Sequence, residues 1–189
     1  MKLSFTKMHG CGNNYIYFNC FDQTVPDPES LSIKLSEPHF GIGGDGIILI
    51  SPSDKADAQM RIFNADGSEG KMCGNGIRCV GKYLYDNGMT DGRTTITIDT
   101  LSGVKTLELT VKDGKMQSAR VDMGAAILAP REIPVDMDGE NVISAPIVVD
   151  EKVYHMTCVS MGNPHCVIFQ KEDVDDLDLT RIGPKFEHH

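Results

Sequence analysis

Apolar and polar residues alternate in short runs along most of this chain, the signature of half-buried strands. β-like runs fall at Leu3 to Met8, Tyr15 to Asn19, Ile47 to Ile50, Gln59 to Asn64, Thr94 to Thr100, Lys105 to Val111 and Met116 to Met123, separated by Gly, Asp and Asn turns. Between the last two lies Lys112-Asp113-Gly114-Lys115, a hairpin signal, because Asp-Gly accepts the positive φ angles of a two-residue turn. The pattern lapses from Gly124 to Pro134 into Ala, Pro and Gly, then resumes at Ala145 to Val149, Val153 to Ser160 and Cys166 to Phe169. That lapse is a candidate boundary, giving domains 1–121 and 122–189.

Two segments carry helical signals instead. Asp27 to Ser36 opens with Pro and acidic residues and stops before Pro38. A second helix is expected to begin near Gly76, with Ile77, Val80 and Leu84 at 3-4 spacing and a stop at Asn87-Gly88. Strand flanks it on both sides, so it is placed inside a curved sheet. The expected fold class is therefore α+β: a curved, mostly antiparallel sheet around a central helix. GNNYIYF at Gly12 to Phe18 and GNPHCVIF at Gly162 to Phe169 each set Gly-Asn before an apolar strand, a hint of two similar halves.

Charge narrows the partners. In 189 residues, 18 Lys and Arg stand against 27 Asp and Glu, a net charge of −9, and the basic residues are scattered. Nucleic acid and anionic membrane are poor partners for such a surface. The start has no apolar signal segment, and the run Ile47 to Ile50 is far too short to span a bilayer, so a cytoplasmic location is expected. Six cysteines without a secretory signal read as thiols, each judged by its surroundings.

One of them stands out. In Met72-Cys73-Gly74-Asn75-Gly76 a cysteine immediately precedes a helix start. The first N–H groups of a helix have no intrahelical partner, and with the dipole they form a small anion site. The glycines let a ligand approach the backbone, and the field there favours a thiolate. A carboxylate-binding nest and a reactive sulfur are thus offered together, although a cysteine that merely packs fits the same spacing. Cys79, six residues on, reads as core.

Other residues allow both a functional and a bland reading. Asn64, at a strand end, presents an amide donor and a carbonyl acceptor suited to a zwitterionic amino acid, or serves a turn. Phe40 to Ile50 is glycine-rich but lacks the Gly-Lys-Ser/Thr ending of a phosphate loop and leads into a strand. His165, after Asn163 and Pro164, is an acid–base candidate or a satisfied loop residue. Cys158, His165 and Cys166 lack paired CxxC spacing, and adjacent residues on one strand face opposite ways, so no metal is expected.

Taken in order, KMHGCGNNYIYF, GIGGDG, RIFNADGSE, MCGNGIRC and SMGNPH, spread from Lys7 to His165, resemble the diaminopimelate epimerase family. The resemblance implies a pseudo-symmetric fold and an isomerase that interconverts LL- and meso-diaminopimelate for lysine and peptidoglycan synthesis. It implies no cofactor, neither pyridoxal phosphate nor metal. It makes Cys73 a catalytic cysteine and His165 an active-site histidine, and puts Asn13, Asn64, Gly74, Asn75 and Asn163 on substrate-binding positions. The expected partner is an amino-acid substrate, with a homodimer left open.

This chain departs from the family pattern in three ways. Asn14 follows Asn13 where Gly-Asn-Asp is usual, and Gly46 stands where some relatives carry Gln. The third departure is an absence: the family's second catalytic cysteine, in an Ala-Cys-Gly motif after a Glu-Arg pair, does not occur here. The chain is therefore expected to be an N-terminal fragment whose ending, Gly183 to His189, leads toward a further strand. Two alternatives stay open: a related racemase of another amino acid, and a non-catalytic binding domain of the same fold.

Overall fold

The computed structural model describes residues 2–189. The chain divides into two compact units, Met1–Met123 and Gly124–His189.

In the first unit an eight-stranded mixed sheet curls around one helix. Its strands are β1 (Thr6–Gly10), β2 (Asn13–Asn19), β3 (Gly46–Ser51), β4 (Ala58–Asn64), β5 (Glu69–Gly70), β6 (Thr95–Asp99), β7 (Lys105–Lys112) and β8 (Lys115–Val121). The spatial order is β1-β2-β3-β4-β6-β7-β8, with β5 beside β4. Pairing is antiparallel except for β2 with β3 and β4 with β6. The Asp113-Gly114 turn between β7 and β8 has φ of 53° and 72°, as a two-residue hairpin requires. The first strand begins at Thr6 rather than Leu3; Leu3 packs beside the sheet without joining it.

The two helices of this unit, α1 (Pro28–Ser36) and α2 (Gly74–Asp86), occupy opposite faces of the sheet. Alternation along each strand decides which side chain meets which helix. Tyr15 and Tyr17 of β2 and Ile48 and Ile50 of β3 join Ile77, Val80 and Leu84 of α2 in one core. Ile16, Phe18, Ile47 and Leu49, the intervening positions, pack with Leu31 and Leu35 of α1 in another. Cover on both faces turns these strands into unbroken apolar runs. Each fully buried aliphatic of α2 contributes about 1.5–3 kcal/mol of transfer free energy.

The second unit is a three-stranded antiparallel sheet in the order β11-β10-β9, formed by β9 (Val142–Val149), β10 (Lys152–Ser160) and β11 (Pro164–Ile168). Its buried cluster is small: Ile133, Val142 and Cys158, with Ile127, Val135, Met137, Ala145 and Met156 around them. Leu179–Glu187 forms a helix, α3, for which the sequence pattern gave no signal. Gly183 and Pro184 argue locally against helix, but tertiary contacts override them. The Asp178 side chain caps Arg181 N, the Phe186 ring meets Tyr154 edge-on at 4.9 Å, and Lys185 and Arg181 both pair with Asp150.

Candidate active site

The site in the first unit is built on the N-terminus of α2. The helix starts at Gly74, two residues before Gly76, and Cys73 is its N-cap, with extended backbone at φ −139° and ψ 109°. Its sulfur accepts a hydrogen bond from Gly76 N at 3.2 Å, the task usually given to Ser, Thr or Asp. The N–H groups of Gly74 and Asn75 belong to the same unpaired first turn. A Cβ on Gly76 would lie 2.6 Å from Ile48 Cδ1, so a larger residue there would make the tip of the Ile48 side chain shift.

Asn13 reaches Cys73 from β2. The Cys73 thiol donates to Asn13 Oδ1 at 3.2 Å, and the Asn13 amide nitrogen donates to Asp45 Oδ2 at 2.7 Å. The same oxygen accepts Asn14 N at 2.7 Å. Asp45 therefore fixes which end of the Asn13 amide faces the sulfur. Its place in the chain was legible only as the acid in the glycine-rich GIGGDG stretch. Tyr15 is a second residue that the motifs did not single out. Burial, with the charge of Cys73 as the next cause, pushes its hydroxyl up to about 12, so it stays protonated beside the sulfur. Cys79 is buried in the core, where desolvation raises its thiol above the ordinary range.

Asn64 joins this corner through the register of β3 and β4, which sets it opposite Gly46, next in sequence to Asp45. Its amide donates to Ser68 Oγ at 3.0 Å, and Ser68 Oγ donates to Asp66 Oδ1. Gly46 has φ of 151°, and a Cβ there would lie 2.1 Å from Phe63 O. No side chain can be added at Gly46 without moving this backbone. Asn75 is held from the other side: Arg78 donates to Asn75 Oδ1 and, at 3.1 Å, to Gly74 O.

Asn163 and His165 belong to the second unit, at the start of β11. His165 Nε2 lies 3.2 Å from Asn163 Oδ1, so that nitrogen carries the proton in this pairing, and the imidazole is exposed. Cys73, Asn13, Asn64, Gly74 and Asn75 thus gather in the first unit, and Asn163 and His165 pair in the second. Among the described residues no group of three or more His, Cys, Asp or Glu side chains is placed to hold a metal ion. No helix among them is long and apolar enough to cross a membrane.

What the first-unit arrangement offers chemically is an anion seat at a helix start beside a sulfur in contact with a neutral amide carbonyl. Comparison with known proteins sets this geometry in a family. The family model for diaminopimelate epimerase matches residues 5–129. A diaminopimelate epimerase from Acetivibrio thermocellus is 56% identical over 187 residues, 99% of this chain and 66% of the relative. One from Agathobacter rectalis is 54% identical over 194 residues, 99% of this chain and 67% of the relative. The chain thus spans about two thirds of the length of these relatives. Among solved structures, a probable proline racemase from Agrobacterium radiobacter K84 matches with a TM-score of 0.68 at 17% identity, covering 96% of this chain and 53% of that one. A hydroxyproline epimerase from Agrobacterium vitis matches at 0.66 and 16% identity, covering 95% of this chain and 52% of that one. These two likenesses show a shared fold, the curled half-barrel sheet with few helices. The chain belongs to the diaminopimelate epimerase family.

Proposed function

We propose that this chain serves an isomerase that interconverts LL- and meso-diaminopimelate without a cofactor, in the cytoplasmic route to lysine and peptidoglycan. The observation that carries the reading is Cys73 as the N-cap of α2, with its sulfur beside the open first turn of the helix. The N–H groups of Gly74 and Asn75 would receive the α-carboxylate of the substrate, and their field would stabilise the charge that develops when the α-proton leaves. Asn13, Asn64, Asn75 and Asn163 would supply polar contacts to the amino acid, and His165 would act at the active site.

Inversion needs a base on one face of the α-carbon and an acid on the other. Cys73 as thiolate removes the proton, or as thiol returns it, from one face alone. We assign the opposite face to a second cysteine in a part of the protein outside this chain, so this chain alone is expected not to epimerise. The length of the relatives supports that assignment.

The test follows chirality and deuterium uptake together in deuterated water. The full-length protein should invert diaminopimelate and exchange its α-proton, whereas the 189-residue chain should do neither efficiently. Efficient inversion by the chain alone would put the second acid among residues present here. Exchange on another amino acid but not on diaminopimelate would make the protein a related racemase of the same architecture. A full-length protein with no exchange on any amino acid would instead be a binding domain.

A further inference from the structure

The second unit contains a feature that the proposed chemistry leaves unused. On the antiparallel pair β10–β11, Cys158 stands directly opposite Cys166. Residues paired in this way share one face of the sheet, and their Cα atoms lie about 4.5–5.5 Å apart, within the span that a disulfide bridges. Both cysteines line a cavity of about 690 Å³ with Val135, Pro146, Met156 and Phe186, so small molecules have a route to them. Cys166 is exposed, whereas Cys158 is 2% exposed.

We propose that Cys158 and Cys166 form a reversible disulfide that clasps the edge strand β11 to β10 when a low-molecular-weight disulfide is present. Cys166, the accessible sulfur, attacks as thiolate one sulfur of the small disulfide, forming a mixed disulfide and expelling one small thiolate. Cys158 then gives up its proton and attacks the Cys166 sulfur, closing the protein disulfide and expelling the second small thiolate. Two electrons pass from the protein to the small disulfide, and the two protein protons end on the two released thiols. Burial, and then the neighbouring Cys166, push the Cys158 thiol up to about 11. The second step is therefore the slow one at neutral pH, because little Cys158 is thiolate.

The clasp would act on the segment that carries Asn163 and His165. Adjacent residues of a strand face opposite ways, so the bond forms on the face away from His165 while fixing the backbone that bears it. The pair does not involve Cys73, and its test needs no epimerase activity. It therefore stands or falls apart from the proposed function.

The chain is incubated with oxidised glutathione at neutral pH, alkylated and digested with trypsin, and the peptide 153–171, which holds both cysteines, is weighed. The expected product is two hydrogens lighter, takes up no alkyl group, and regains both thiols on reduction. Glutathione that remains on Cys166, or alkylation of both sulfurs, would overturn the proposal. Cys166→Ser should abolish the lighter species, and Cys158→Ala provides a second variant should the first fold poorly. Amide exchange over residues 164–168 should slow on oxidation. A bond that forms without slowing this exchange would remove the clasp from the proposal.

Discussion

Two hairpins in this molecule start from the same local design and end in different surroundings. β1 and β2 are joined through Cys11-Gly12, and β10 and β11 through Met161-Gly162-Asn163; both glycines have positive φ, 84° and 99°. In the first hairpin the strand after Gly-Asn is buried from Tyr15 through Phe18. In the second, Pro164 through Val167 are exposed. β2 has a neighbour on each side, and α1 and α2 cover its two faces; among the described residues β11 is an edge strand that pairs with β10 alone. The turn is thus a local decision, whereas burial is granted by elements far away in sequence.

The sulfurs of the two units give the sharpest way to break this comparison. Cys73 caps a helix inside a complete core, and Cys166 lies on an exposed edge. In the full-length protein, Cys73→Ala should lower α-proton exchange by about a thousand-fold or more, since it removes a general acid–base group. Cys166→Ala should change the same rate by less than about two-fold, since its side chain takes the strand face opposite to that of His165. Equal losses would show that the edge strand is as central to catalysis as the helix start.

Packing gives the next largest effect. Ile77 is fully buried on α2, and Ile77→Ala should lower unfolding free energy by about 2–4 kcal/mol. Val167, 37% exposed on β11, should lose less than about 0.5 kcal/mol in Val167→Ala. Urea melts of the chain, read separately in each unit by hydrogen exchange, check the contrast. A comparable loss at Val167 would mean that β11 is buried in solution by something absent from this structure, such as a second copy of the chain.

The same contrast explains what the sequence made legible. The Asp113-Gly114 hairpin, the amphipathic face of α2 and the two Gly-Asn turns are governed by neighbours a few residues apart, and each was readable as a pattern. The parallel pairings of β2 with β3 and β4 with β6 were not, because alternation tells which face a side chain takes but not which strand lies beside it. α3 was hidden because Gly183 and Pro184 oppose helix locally, while Tyr154 and Asp150, some thirty residues earlier, hold it in place. At the candidate site, Cys73 announced itself through its position before Gly74-Asn75-Gly76. Asp45 did not, since its partners Asn13 and Asn14 lie on another strand and only folding brings them together.

Asp45 therefore tests whether the first unit's site depends on a contact that no motif encodes. Asp45→Ala removes the acceptor that orients Asn13, so the carbonyl facing Cys73 loses its fixed direction. A charge-assisted hydrogen bond from an exposed carboxylate supports a fall in kcat/KM of about ten-fold, with a smaller change in stability. An unchanged kcat/KM in the full-length enzyme would show that Asn13 is positioned by packing alone.

The smallest effects come from two carboxylates, one in each unit. Asp57 lies where β4 meets β6: its Oδ2 accepts Thr97 N at 2.7 Å and its Oδ1 pairs with Arg93 at 2.7 Å. Burial works against its ionisation, but the hydrogen bonds from Arg93 and Thr97 outweigh it and hold the carboxyl below the ordinary range. Asp150 is also held low, chiefly by the hydrogen bond from Lys185 and then by the charges of Lys185 and Arg181, but in an exposed position. For both, the folded pKa lies below the unfolded value of about 3.9, so each contributes stability that is present above that value and lost as pH falls through the folded one. Asp57→Asn and Asp150→Asn should each flatten the acid limb of stability between about pH 5 and pH 2. Salt separates them. At 1 M ionic strength the screening length shrinks to about 3 Å, which should erase the Asp150 contribution while leaving most of Asp57's, because backbone and side-chain hydrogen bonds in a partly buried site are screened far less. Urea midpoints against pH, at low and high salt, supply the measurement; equal salt sensitivity of the two variants would show that the joint between β4 and β6 is as open to solvent as the exposed ion pairs on α3.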